Sequence, residues 1–324
     1  MRSRAIALCV GLFGAIALAA PYASAAGGKR VSFLDGPIAD KYIGAMTNSF
    51  NDTAKAAGLQ VSLVQSPFDP ALQARQLDDA IAQKADLIVL MVMSQKALVP
   101  ALTRAKEAHI PVVLINTPIP ESDLFTAFVG EDSNLMGSYP AKAIGDVLKA
   151  NGRIPAKVAI IAGSMDEGIA PARVAAFKKE IAKYPGISLV AVEETHWAPP
   201  EAERATGQVL ARFAGQGGID AIFAMNDAMA NAAVQAAQSA GVKLGTGKGE
   251  LVIVGGNCLA PGIADIEQGK MYATMYWTPT NLGRDTAHTV EKILAGQTVP
   301  KRQSRGIEII TKANVAKYKA QCTF

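Results

Sequence analysis

Residues 221–254 read AIFAMNDAMANAAVQAAQSAGVKLGTGKGELVIV, and this stretch decides the fold. Ala221–Met225 is a continuous apolar run of strand length. Asp227 opens an alanine-rich segment of helical length, and Gly241 stops it. Gly245-Thr246-Gly247-Lys248-Gly249 then turns the chain into a second apolar run, Leu251–Val254. Neither run alternates polar with apolar residues, as expected of strands covered by helices on both faces. The glycine-rich turn precedes a strand and does not open a helix, so it is not a nucleotide cradle.

The same unit recurs outward in both directions. Further apolar runs are Val31–Leu34, Val61–Val64, Leu87–Met93, Val112–Ile115, Val158–Ala162 and Leu189–Val192. Helical segments separate them. Ile43, Met46, Phe50 and Ala54 recur at helical spacing before the stop at Gly58. Asp69-Pro70 is an N-cap followed by proline at the first helical position, opening a helix to about Lys84. Another helix runs from Pro171 to Tyr184 and ends at Pro185-Gly186. Strand–helix repetition of this kind predicts parallel sheets in an α/β protein. About four units precede Glu131-Asp132 and about five follow before Trp277, which predicts two doubly wound domains with a ligand crevice beyond the strand ends.

The N-terminus reads as an export signal. Arg2 and Arg4 precede an apolar stretch, Ala5 to Ala20, that Pro21 breaks, and Ala23-Ser24-Ala25 offers small residues for cleavage. Residues 1–25 are therefore expected to be a signal peptide that exports the chain, with a retained membrane anchor as the alternative. The signal holds two arginines and no acid, so its loss brings the 32 basic residues close to balance with the 28 acidic ones. That balance, with no Lys/Arg cluster, argues against a nucleic-acid partner. The two cysteines that remain, Cys258 and Cys322, could pair in an oxidising compartment, with free thiols or intermolecular linkage as alternatives.

Several segments carry a resemblance to a known family. They are Ala224-Met225-Asn226-Asp227-Ala228-Met229-Ala230, Val252-Ile253-Val254-Gly255-Gly256-Asn257, Ala108-His109-Ile110-Pro111-Val112-Val113, Gly269-Lys270-Met271-Tyr272-Ala273-Thr274 and Thr311-Lys312-Ala313-Asn314-Val315. In this order and spacing the chain resembles the type I periplasmic solute-binding proteins, in the branch of the ribose- and xylose-binding proteins. The resemblance implies two lobes joined by a three-strand hinge, with crossings near Asp132, Thr278 and Ile310–Thr311. The lobes would be residues 29–132 plus 278–310, and 133–277 plus 311–324. The tail would return to the lobe that holds Cys258, so a Cys258–Cys322 disulfide is expected.

The resemblance also implies ligand-binding positions. Arg173 and Asn226 match an arginine and an asparagine of the family's sites, and Asn226 could instead cap its helix. Asn116 and Asn257 stand where aspartates are usual, and Thr117 follows where sugar binders often carry arginine. Trp197 matches an aromatic that lies over the ligand. Trp277 replaces a polar amide, as a stacking wall or as hinge packing. Asp35, Tyr42 and Ser94 lie in or next to the loops that follow strands, and Tyr42 could equally be a core residue. Loss of two carboxylates and gain of Trp277 point away from ribose itself.

The function implied is capture of a small polar ligand, a sugar or polyol, and its delivery to an ABC transporter permease by a monomer without cofactor or metal. The alternative is a sensory protein that docks on a chemoreceptor or sensor kinase. An enzyme is disfavoured by three scattered histidines, His109, His196 and His288, without metal-ligand spacing or a nucleophile elbow. A lac-type repressor would need a helix-turn-helix where the signal stands.

Overall fold

A computed structural model describes residues 28–324 apart from positions 68, 121, 122 and 167. The expected signal peptide, residues 1–25, lies outside the described residues. The first half of the chain gives strands β1 (Arg30–Asp35), β2 (Gln60–Gln65), β3 (Leu87–Leu90), β4 (Val112–Ile115) and β5 (Ala127–Val129). Helices α1 (Lys41–Ala56), α2 (Pro70–Ala82) and α3 (Val99–Glu107) connect the first four. After α4 (Ser133–Ala150) come β6 (Ala156–Ala162), β7 (Ile187–Glu194), β8 (Ala221–Ala224), β9 (Val252–Val254) and β10 (Ala273–Tyr276). Their connecting helices are α5 (Ile169–Ile181), α6 (Pro199–Ala214), α7 (Asp227–Ser239) and α8 (Ala260–Glu267). Then α9 (Pro279–Leu294), β11 (Arg302–Gln303), β12 (Glu308–Thr311) and α10 (Val315–Tyr318) complete the chain.

These strands form two six-stranded sheets, one in each lobe. Their orders are β11-β5-β4-β3-β1-β2 and β12-β10-β9-β8-β6-β7. All pairs are parallel except β10 with β12. Each sheet is doubly wound, and its connections part company next to the first strand of the set. A crevice therefore opens beyond β1 and β3 in one lobe and beyond β6 and β8 in the other. Central strands β3, β4 and β8 are buried along their whole length, which explains their unbroken apolar runs.

Local chemistry sets the element ends. The Asp69 carboxylate accepts from Ala71 N (2.9 Å) and Leu72 N (3.0 Å), which starts α2 one residue before Pro70 fits its first turn. On α1, Ile43, Met46, Phe50 and Ala54 are the buried stripe. The apolar run from Leu87 outlasts β3. Met91 N still donates to Leu34 O (3.0 Å), and from there the buried Gln73 carboxamide takes over, donating to Met91 O (2.8 Å) and accepting from Met93 N (3.0 Å).

The chain passes between sheets three times: between Val129 and Ser133, between Tyr276 and Pro279, and between Gln303 and Glu308. The third passage comes earlier than the expected Ile310–Thr311. Glu308–Ile310 belong to the second lobe, because β12 pairs antiparallel with β10, from Tyr276 opposite Glu308 to Ala273 opposite Thr311. That pairing covers the otherwise open edge of β10.

Candidate functional site

A cavity of about 390 Å³ lies between the lobes, at the two crevices that the strand orders create. Of the expected ligand residues, Tyr42, Asn116, Arg173, Trp197, Asn226 and Asn257 line it. Tyr42 and Asn116 come from the first lobe, the other four from the second.

Arg173 is the best-anchored of them. It projects from α5 and is buried in a bidentate ion pair with Glu131, Nε to Oε1 at 2.9 Å and Nη2 to Oε2 at 2.6 Å. Its Nη1 donates to the carbonyl of Met225. A guanidinium has five N–H donors, so one on each Nη is left for a ligand in the cavity. The Trp197 ring packs over the same guanidinium, 5.5 Å from Cζ to the ring centre. A side chain on Gly163, just past β6, would occupy the place of that ring.

Carboxamides furnish most of the remaining polar surface. Asn226 caps α7, its Oδ1 accepting from Met229 N at 2.7 Å, and this leaves its amide nitrogen for a ligand. Of the two roles weighed from the sequence, the cap is present, and the same side chain lines the cavity. Asn257 Oδ1 is buried with no hydrogen-bond partner in the structure. Tyr42 Oη donates to Asn116 Oδ1 (3.2 Å) and accepts from Trp277 Nε1 (3.0 Å). Burial, reinforced by the charge of Glu131, pushes the Tyr42 phenol above its ordinary range, so it stays protonated.

Four expected residues do not line the cavity. Asp35 is buried behind it, accepting from Gly36 N (2.8 Å) and from the Thr47 hydroxyl, and burial pushes its carboxyl up to about 7. Ser94 Oγ accepts from Ala97 N at 3.3 Å in the turn before α3. Thr117 is buried beside Asn116 and is not part of the cavity lining. Of the two roles weighed for Trp277, stacking wall and hinge packing, the structure shows the second. It is buried at the second passage between lobes, where its indole N–H holds Tyr42 from behind.

Sequence reasoning missed other residues. Glu131 was read only as a boundary, yet it balances Arg173; an arginine expected to be buried calls for such a partner. Asn231 also lines the cavity and donates to Asp265 Oδ2 at 2.7 Å. Leu259, Pro261 and Phe324 form an apolar side, and no periodicity announces a residue of the tail there. Cys258 and Cys322 are joined by a disulfide, with Cα atoms 5.2 Å apart.

The sequence profile of the periplasmic binding protein domain matches residues 36–298. A ribose import binding protein of Haemophilus influenzae is 24% identical over 285 residues, covering 87% of this chain and 90% of that protein. A xylitol-binding protein of Mycolicibacterium smegmatis is 26% identical over 262 residues, covering 81% and 71%. Among solved structures, an ABC transporter solute-binding protein of Bacillus halodurans with bound myo-inositol superposes with a TM-score of 0.82 at 20% identity, covering 91% of this chain and 99% of that one.

Proposed function

The chain belongs to the periplasmic binding protein family, whose profile spans most of its length, and we propose that it captures a small neutral polyhydroxylated compound, a sugar or polyol, between its lobes. Delivery to the permease of an ABC transporter in the periplasm, by a monomer without catalysis, follows from that reading. The observation that carries it is the charge balance of the site. The Arg173 guanidinium is buried but already neutralised by Glu131, and the other two charged side chains at the cavity, Asp40 and Lys41, are of opposite sign, so the side chains there offer directional donors without net charge. Amides of Asn116, Asn226 and Asn257 can both donate and accept, as vicinal hydroxyls require. Trp197 supplies an aromatic face for C–H groups. The volume, about 390 Å³, suits one monosaccharide with a few waters. The relatives named for ribose import and xylitol binding support this ligand class, and the import role favours uptake over sensing.

A thermal-shift panel tests the reading on the protein from residue 26 onward. D-Ribose, L-arabinose, D-allose, myo-inositol and xylitol are the neutral probes, with D-glucuronate and D-glucosamine as charged controls. A tight ligand at about a thousandfold its Kd adds about 4 kcal/mol of stability. At least one neutral probe is expected to raise Tm by several degrees. A response confined to the charged compounds, or to none, overturns the proposal.

A further inference from the structure

We propose that Phe324 is a specificity-determining wall of the ligand cavity, seated there by the Cys258–Cys322 disulfide, so that thiol reduction opens this side of the site. The inference rests on the reading of the cavity as a sugar or polyol site and goes beyond it. Phe324 lines the cavity beside Leu259 and Pro261. Its main-chain oxygen accepts from Ala260 N at 3.1 Å, which ties the tail to the first residue of α8. The disulfide lies two residues before Phe324 on one side and one residue after Asn257 on the other, with both cysteines buried. It therefore joins the apolar wall to the turn that presents a ligand amide.

The two ends of the disulfide are not equally dependent on it. On the loop side, Leu259 N donates to Asp227 Oδ2 at 2.7 Å and Cys258 N to Thr274 Oγ1 at 3.4 Å, anchors that survive reduction. The tail beyond Cys322 has lost regular structure, since the last helical turn ends at Gln321. Reduction is thus expected to release Phe324 and leave the Asn257 turn in place. A wall of this kind faces a C–H surface or a deoxygenated carbon of the ligand. A hydroxyl turned toward the ring would find no partner there.

Two measurements test it. Residue-resolved hydrogen exchange compares the oxidised protein with the same protein in TCEP, its fold checked by far-UV circular dichroism. Ala260 and residues 319–324 are expected to exchange at least about tenfold faster after reduction, with Leu259 unchanged. Equal exchange at Ala260 in both states overturns the seating. Calorimetry then compares wild type with F324A and F324L, disulfide intact, on whichever of the five neutral probes the wild type binds. F324A is expected to weaken binding by about tenfold and F324L by less than about threefold. An F324A protein that binds like wild type overturns the wall. A wild type that binds no probe overturns the proposed function, and the exchange comparison still judges the seating.

Discussion

Among the described residues, seven non-glycine residues carry positive φ, and five of them stand at three turns that border the cavity: Asn116, His196-Trp197 and Asn257-Cys258. The other two, Lys84 and His109, follow helix ends, where that conformation is routine. Left-handed backbone is cheap for asparagine and costly for a residue such as tryptophan, so the site holds local strain that the surrounding packing must offset. Asn116 and Asn257 both follow the fourth strand of their sheet, and each needs a side chain that tolerates the turn and still faces the cavity. The resemblance, which puts aspartate at both positions, singled out these amides, and both line the cavity. Asp35 lies away from the cavity lining and Trp277 takes the hinge-packing alternative, because sequence does not say which way a side chain leaves the strand end. At Asn257 the backbone and ligand roles can be separated. N257G keeps the turn and loses the acceptor, whereas N257A loses both. Both variants should weaken binding of the responding probe by about 1–3 kcal/mol. Only N257A should also lower the Tm of the unliganded protein, by the equivalent of about 1 kcal/mol. Equal Tm values for the two would show that the turn imposes no cost.

Elements place these residues through close helix packing. In α4, Gly137 faces the carbonyl of Arg173 on α5, and a Cβ there would collide with that backbone. Gly283 of α9 meets Met46 of α1 in the same way in the first lobe. The first of these contacts fixes the height of α5, and with it the Arg173 guanidinium above the cavity. Helix existence and most helix starts were readable, since Asp69 and Asn226 cap as their residue types suggest. The closeness of α4 and α5 was not, because a glycine inside a helix looks the same in sequence whether it faces solvent or a neighbour. G137V should destabilise by about 1–3 kcal/mol through overpacking. It should also weaken probe binding more than a surface change of equal cost in Tm, by displacing Arg173. Calorimetry and thermal melts on the same samples decide this, and unchanged affinity would detach the helix contact from the site.

At the scale of the whole molecule, two lobes of like topology meet over one cavity, and two deeply buried carboxyls make its stability depend on pH. Burial pushes both Asp35 and Asp227 up to about 7 from 3.8. Each therefore stays protonated in the fold while the unfolded chain ionises, so stability present below about pH 4 is lost as pH rises toward 7, with no further loss above it. In D227N that share is removed. Urea unfolding at pH 5 and pH 7.5 should show a flatter dependence for D227N than for wild type, by on the order of 1 kcal/mol or more. A steeper one would contradict the raised carboxyl. Sequence by itself determined the class of fold, the two sets of strands, the expected crossings near Asp132 and Thr278, and six side chains that reach the cavity. The class of fold and the strand sets follow from local patterns, apolar runs, caps and glycine stops, whereas the crossings and the site positions came from the resemblance to a family. Tertiary structure alone decided the Glu131 partner of Arg173, the early third passage at β12, the support of Tyr42 by Trp277, and Phe324 at the wall. Each of these depends on contacts between residues far apart in the chain, and such contacts are set by packing and leave no periodic trace in either partner.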